Sequence, residues 1–216
     1  MSGIPRTITV TGAGSAEAVP DLLTLSIGVE CRRDNVGAAY ADAGKVSAAI
    51  SAVLRQHGVG NADISTTGLN VRADLAWQEG EGQKVTGYVA SSILSVRVRS
   101  VAGSSEVIAA AVEAGGNDVR LNGLELGFAD AAAVSVLARE AAWQDALASA
   151  QQFATLAAAE LGGVLSVTQH SDVPPPIPVA KIQRAMAAEA INVEAGESSV
   201  SAAVTVVWEL RGLPAG

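Results

Sequence analysis

Runs in which every second residue is apolar recur along this 216-residue chain, and no other feature narrows its fold as far. Such a run gathers its apolar side chains on one face only when extended, because successive strand side chains point to opposite faces. The clearest case is Asp21 to Arg33, where Leu23, Leu25, Ile27, Val29 and Cys31 share a face. Val85 to Arg99 brings Tyr88, Ala90, Ser92, Leu94, Val96 and Val98 together. Ser198 to Arg211 does the same with Val200, Ala202, Val204, Val206, Trp208 and Leu210. Shorter runs at Thr7 to Thr11, Ile64 to Asp74, Val119 to Phe128 and Val164 to Ser171 complete a set of seven strands. The first two strands, joined through Gly12-Ala13-Gly14-Ser15 and Pro20, are expected to form a hairpin or to neighbour one another.

Between these runs the period changes. From a cap at Asp34 or Asn35 to about His57, apolar residues recur three and four apart (Val36, Ala39, Tyr40, Ala43, Val46, Ile50, Val53, Leu54), which predicts an amphipathic helix stopped at Gly58 and Gly60. A second helix is expected from Ser104 to Ala114, and a third from Asp130 to Leu161. The third is Ala-rich, carries Val134, Leu137, Ala141, Ala148, Phe153 and Leu156 along its length, and is expected to stop at Gly162-Gly163. Gln78 to Lys84 reads as a polar turn. The order is ββαββαβαββ. It predicts an α+β fold, a mixed and largely antiparallel sheet of about seven strands with three helices. No stretch of linker composition divides the chain, so residues 1–216 read as one domain with its core at 7–211.

Composition excludes several classes of function. Hydrophobic residues make up 49% and charged ones 17%, which suits a packed core. A net charge of −8 with no local basic run excludes nucleic acid as a partner. Cys31 is the only cysteine, so no intrachain disulfide forms, and with two histidines the chain offers no pattern for a metal site. No uncharged apolar run approaches the ~20 residues of a membrane span. The first twenty residues lack a basic region followed by an apolar one, so the sequence alone places the protein in the cytoplasm.

Catalytic patterns fail on inspection. Gly12-Ala13-Gly14 follows a strand, but Glu17 stands where a dinucleotide fingerprint needs its third glycine, and another strand follows instead of a helix. His170 lies near Asp172, yet no G-x-S-x-G elbow supplies a nucleophile. Cys31 sits on an apolar strand face, where a buried and inert thiol belongs, although Arg32 and Arg33 beside it would favour a thiolate were it exposed. The reading is therefore of a protein with no catalytic, cofactor or metal residues.

Two features point to contacts. Residues 173–196 interrupt the pattern with Pro174, Pro175, Pro176, Ile177, Pro178 and Val179, then Ile182 and Met186. Prolines hold a chain extended and remove ladder donors, so such an arm loses little entropy on docking. These eight residues are the expected contacts of an arm that packs on a neighbouring subunit. Trp77, beside the polar turn, is the candidate contact for a ligand or protein partner.

Six local segments add a resemblance. They are Ile8 to Gly14 followed by Val19-Pro20-Asp21, Thr66 to Val71, Gly87 to Ser92 leading to Val96-Arg97-Val98, Asn122-Gly123-Leu124, Ala138 to Ala141, and Gly196-Glu197 before the last strand. In this order and spacing the chain resembles the SIMPL-domain family from about Thr7 to Leu210. The resemblance implies a bacterial protein of the periplasm or cell surface, provided an export signal has been removed. It also implies relatives known as immunogens, one linked to oxidative-stress defence, and one that forms a ring-shaped, channel-like oligomer. It carries over no catalytic residue. The expected function is that of a non-enzymatic, self-associating protein, with a binding module for a protein or small ligand as the alternative.

Overall fold

The computed structural model describes residues 6–80, 82–170 and 193–212, and there the chain forms seven strands and three α-helices in the order the sequence predicts. They are β1 (Thr7–Ala18), β2 (Leu22–Arg33), α1 (Val36–Gln56), β3 (Ile64–Gln78), β4 (Gly82–Val98), α2 (Ser104–Gly115), β5 (Val119–Gly127), α3 (Ala131–Leu156), β6 (Ala159–His170) and β7 (Ser198–Gly212). The strands divide between two antiparallel sheets, one ordered β1-β7-β6 and the other β3-β4-β2-β5. The α+β class stands as read.

The expected hairpin of the first two strands does not form. β1 pairs along its whole length with β7, from Thr7 opposite Glu209 to Ala18 opposite Ser198. After Pro20 the chain is tied instead to the end of β5: the Asp21 amide donates to the Gly127 carbonyl at 3.1 Å, and the Asp21 carboxylate accepts from the Ala129 amide at 2.7 Å. Alternation shows which face of a strand is buried, not which strand lies beside it.

The described residues fall into two units. One holds β2 to β5 with α1 and α2. In it β2 is central, and Leu23, Leu25, Ile27, Val29 and Cys31 are all buried, as their alternation requires. Ala39, Ala43, Ile50 and Leu54 of α1 and Val107, Ile108 and Ala111 of α2 close this core. Asn35 caps α1 by accepting the Ala38 amide at 2.8 Å. The β3–β4 hairpin is longer than expected, because Gln78 lies opposite Gly82 and the turn narrows to the residues between them. Gly80 and Gly82 have φ of +82° and +79°, which only glycine adopts cheaply.

The other unit packs α3 on β1, β7 and β6. Asp130 caps α3 through the Ala132 amide at 2.9 Å. The helix ends at Leu156, five residues before the expected end at Leu161. Ala158, at φ +48°, turns the chain, and Gly162-Gly163 lies inside β6 at a shift of register. The buried stripe of α3 is Ala138, Ala142, Ala146, Ala150 and Ala154, four residues apart. Opposite it stand Gly12 and Gly14, where a Cβ would overlap backbone atoms of Ala138, Ala142 and Ala146. Leu137, Phe153 and Leu156, expected along an apolar helix face, are exposed instead. Helix and strand approach too closely here for a large side chain between them.

Candidate functional site

One set of facing charges in the four-stranded unit stands beside a cavity. The short turn before β3 presents Asp63, whose carboxylate is nearly buried. Arg99 grips it with two hydrogen bonds, Nε to Oδ2 at 2.9 Å and Nη2 to Oδ1 at 3.0 Å. Arg97 adds a third contact to Oδ1 at 2.9 Å, from the end of β4. The Arg99 hydrogen bond holds the Asp63 carboxyl below the usual carboxylate range, with the charges of both arginines helping against partial burial. A cavity of about 370 Å³ opens beside this cluster, lined also by His57, Ser100 and Glu106. The His57 ring lies 2.9 Å from the Val53 carbonyl through Nδ1, in keeping with its place after the last turn of α1. The cavity offers two guanidiniums, of Arg97 and Arg99, and two carboxylates, of Asp63 and Glu106.

A second cluster sits at the other end of β2. Arg33 donates from Nε to Asp42 at 2.7 Å and lies 3.5 Å from Asp118, and Lys45 reaches Asp42 at 3.1 Å. Cys31 is buried, as its strand face predicts. Burial pushes its thiol up to about 11, and the neighbouring Asp118 pushes the same way. The thiol is therefore protonated at neutral pH. His170 is exposed at the end of β6, and its Nε2 lies 2.7 Å from the Thr205 hydroxyl. Asp172, its expected neighbour, lies outside the described residues. Among the described residues no group of three His, Cys, Asp or Glu side chains stands ready for a metal, and no helix is long and apolar enough to cross a membrane.

The remaining candidates are surfaces. Trp77 is 76% exposed near the tip of the β3–β4 hairpin. Leu75 and Val85, opposite one another in the ladder, are also exposed beside it. Sequence reasoning names Trp77 and misses the other two, because alternation alone starts a separate strand at Val85, beyond the turn. The arm residues Pro174, Pro175, Pro176, Ile177, Pro178, Val179, Ile182 and Met186 lie outside the described residues. On α3, Val136, Arg139, Glu140, Trp143 and Gln144 line a depression of about 320 Å³, and Trp143 packs on Trp208 at 6.1 Å. On β6, Val164, Leu165 and Val167 are exposed. The sequence holds a signal for this surface in the alanines spaced four apart, which mark the buried side of α3 and leave the larger residues outside.

Comparison with known proteins matches residues 8–208 to the family model SIMPL, described as a protein of unknown function (DUF541). The chain is 29% identical to the 26 kDa periplasmic immunogenic protein of Brucella melitensis over 220 residues, covering 98% of this chain and 87% of that protein. It is 31% identical to the uncharacterized protein YggE of Escherichia coli over 197 residues, covering 91% of this chain and 78% of the relative.

Proposed function

This chain belongs to the SIMPL family, and from that premise we propose that it is a non-enzymatic protein of the bacterial periplasm that works as a closed homo-oligomer. The observation that carries the reading is the set of apolar side chains left exposed on α3 and β6. Leu137, Phe153, Leu156, Val164, Leu165 and Val167 are exposed while alanines fill the interior. Apolar side chains exposed along two packed neighbours, α3 and β6, suit a contact with another molecule. The name of the Brucella relative supports a periplasmic residence in preference to the cytoplasm expected from the first twenty residues. In this reading the arm that includes Pro174 to Val179 packs on a neighbouring subunit, and the closed assembly serves envelope or oxidative-stress physiology.

Absolute mass by light scattering tests it, on the intact chain and on one lacking residues 173–191. An assembly that dissociates on deletion is the expected result. A monomer at micromolar concentration in both cases overturns the proposal. It would favour a second reading, a binding module that uses the exposed Trp77, Leu75 and Val85. Loss of partner binding on Trp77→Ser, with folding retained, would then identify that surface.

A further inference from the structure

Two sheets present four edges, and three of them carry the charges that keep an edge from pairing with another chain. β3 holds Arg72 and Asp74, and β5 holds Arg120 and Glu125. β1 holds Glu17, and its Ala13 amide already donates to the Asp145 carboxylate at 2.9 Å. β6 differs in where its charge lies: its one charged residue, Glu160, stands at its start, from Leu161 to His170 it contains no Asp, Glu, Lys or Arg, and no described strand lies on its outer side. Val164, Leu165 and Val167 are 46%, 55% and 53% exposed there.

The residue order adds a symmetry. Val164 and Val167, the exposed valines of this edge, lie symmetrically about a centre between Leu165 and Ser166. About that centre an antiparallel pairing of two copies sets Val164 opposite Val167 and Leu165 opposite Ser166, twice each. Val164 pairs with Trp208 and Val167 with Val206, so both lie on the sheet face that carries α3. The shift of register between Val164 and Ser166 is what puts residues three apart on one face. The pairing therefore joins apolar to apolar on the helix side and brings no like charges together. An isologous two-fold contact requires such self-complementarity.

We infer that β6 is a self-pairing edge: two copies of this chain join antiparallel through residues 161–170, with Val164 of one copy opposite Val167 of the other, making one six-stranded sheet from two three-stranded ones. The inference rests on the self-association proposed above and names a second contact within it, beside that of the arm. Backbone hydrogen bonds supply the contact and the paired valines fix its register.

Val164→Lys tests it, since two lysines would then face apolar partners at the centre of the contact. The expected result is a halved mass by light scattering with an unchanged circular dichroism spectrum. The double variant Val164→Lys, Val167→Glu places lysine opposite glutamate at both symmetry-related positions, and it is expected to restore the original mass. Hydrogen exchange on the unmodified chain gives an independent reading. The outward-facing amides of residues 161–170 are expected to exchange at least tenfold more slowly at assembly concentration than on dilution.

An assembly whose mass ignores Val164→Lys, or which the double variant fails to restore, overturns this inference and leaves the proposed function standing. A monomer at every concentration overturns both. Amides of β6 that are protected equally at all concentrations also overturn it, because residues of the same chain would then occupy the edge. Should Val164→Lys fail to fold, the exchange experiment alone decides.

Discussion

The two units solve the same packing problem with different materials. The four-stranded unit fills its core with Leu23, Leu25, Ile27, Val29, Ile50 and Leu54, large side chains that meet midway between sheet and helix. The three-stranded unit has five buried alanines on α3 against Gly12 and Gly14, and Trp208 is its largest fully buried side chain. In the first, energy resides in apolar volume. In the second it resides in close approach of backbone to backbone, where dispersion attraction is strong because little stands between the elements. The two should therefore fail in opposite ways, one on truncation and the other on enlargement.

Enlargement of the alanine–glycine core should have the largest effect. Gly14→Val puts a branched side chain where even a Cβ would overlap the Ala142 amide nitrogen and the Ala138 carbonyl oxygen. Backbone atoms have no rotamer to escape into, so the cost is expected to exceed about 4 kcal/mol, in the range reserved for severe overpacking. Trp143 and Trp208 both lie in this unit and report its unfolding by fluorescence in a urea titration. A variant as stable as the parent chain would show that α3 can lift off β1 without penalty, and the contrast between the units would collapse.

Truncation sharpens the comparison from the other side. Ile27→Ala removes a fully buried side chain from the centre of the four-stranded sheet and should cost about 3 kcal/mol, the sum of lost transfer energy and a residual cavity. Ala146→Gly is the corresponding deletion in the other unit, and it should cost about 1 kcal/mol, mostly as helix propensity. Equal losses in the two denaturation curves would mean that both cores hold by volume after all.

The same contrast explains what is legible in the sequence. Alternation with large residues is a strong signal, so β2, β4 and β7 can be read residue by residue, down to the burial of Cys31 and Trp208. A core of alanine and glycine gives a weak signal in any scheme that weighs hydrophobic size. Periodicity in α3 accordingly follows Leu137, Phe153 and Leu156 to the wrong face. Sheet membership is not legible either, because β1 and β7 meet across some two hundred residues of sequence, as Thr11 and Thr205 do at 2.7 Å. The charge cluster of Asp63, Arg97 and Arg99 escapes for a similar reason, since its members come together only when the end of β4 reaches the turn before β3.

The dryness of the large-residue core can be read from its one thiol. In the folded chain burial raises the Cys31 thiol from about 9 to about 11, with Asp118 as the second cause. Folding thus favours the protonated thiol. The stability this brings is complete below pH 9, where the thiol is protonated in both states, and is lost as pH climbs towards 11, where the unfolded chain alone has ionised. A shift of this size corresponds to about 3 kcal/mol across that window. The expected outcome is a midpoint of urea unfolding that falls between pH 9 and 11 more steeply in the parent chain than in Cys31→Ala. The difference between the two chains removes the part of every other group. Equal slopes, together with rapid reaction of the native thiol with a thiol reagent, would mean that water reaches the face of β2 and that its large side chains do not seal the core as their burial implies.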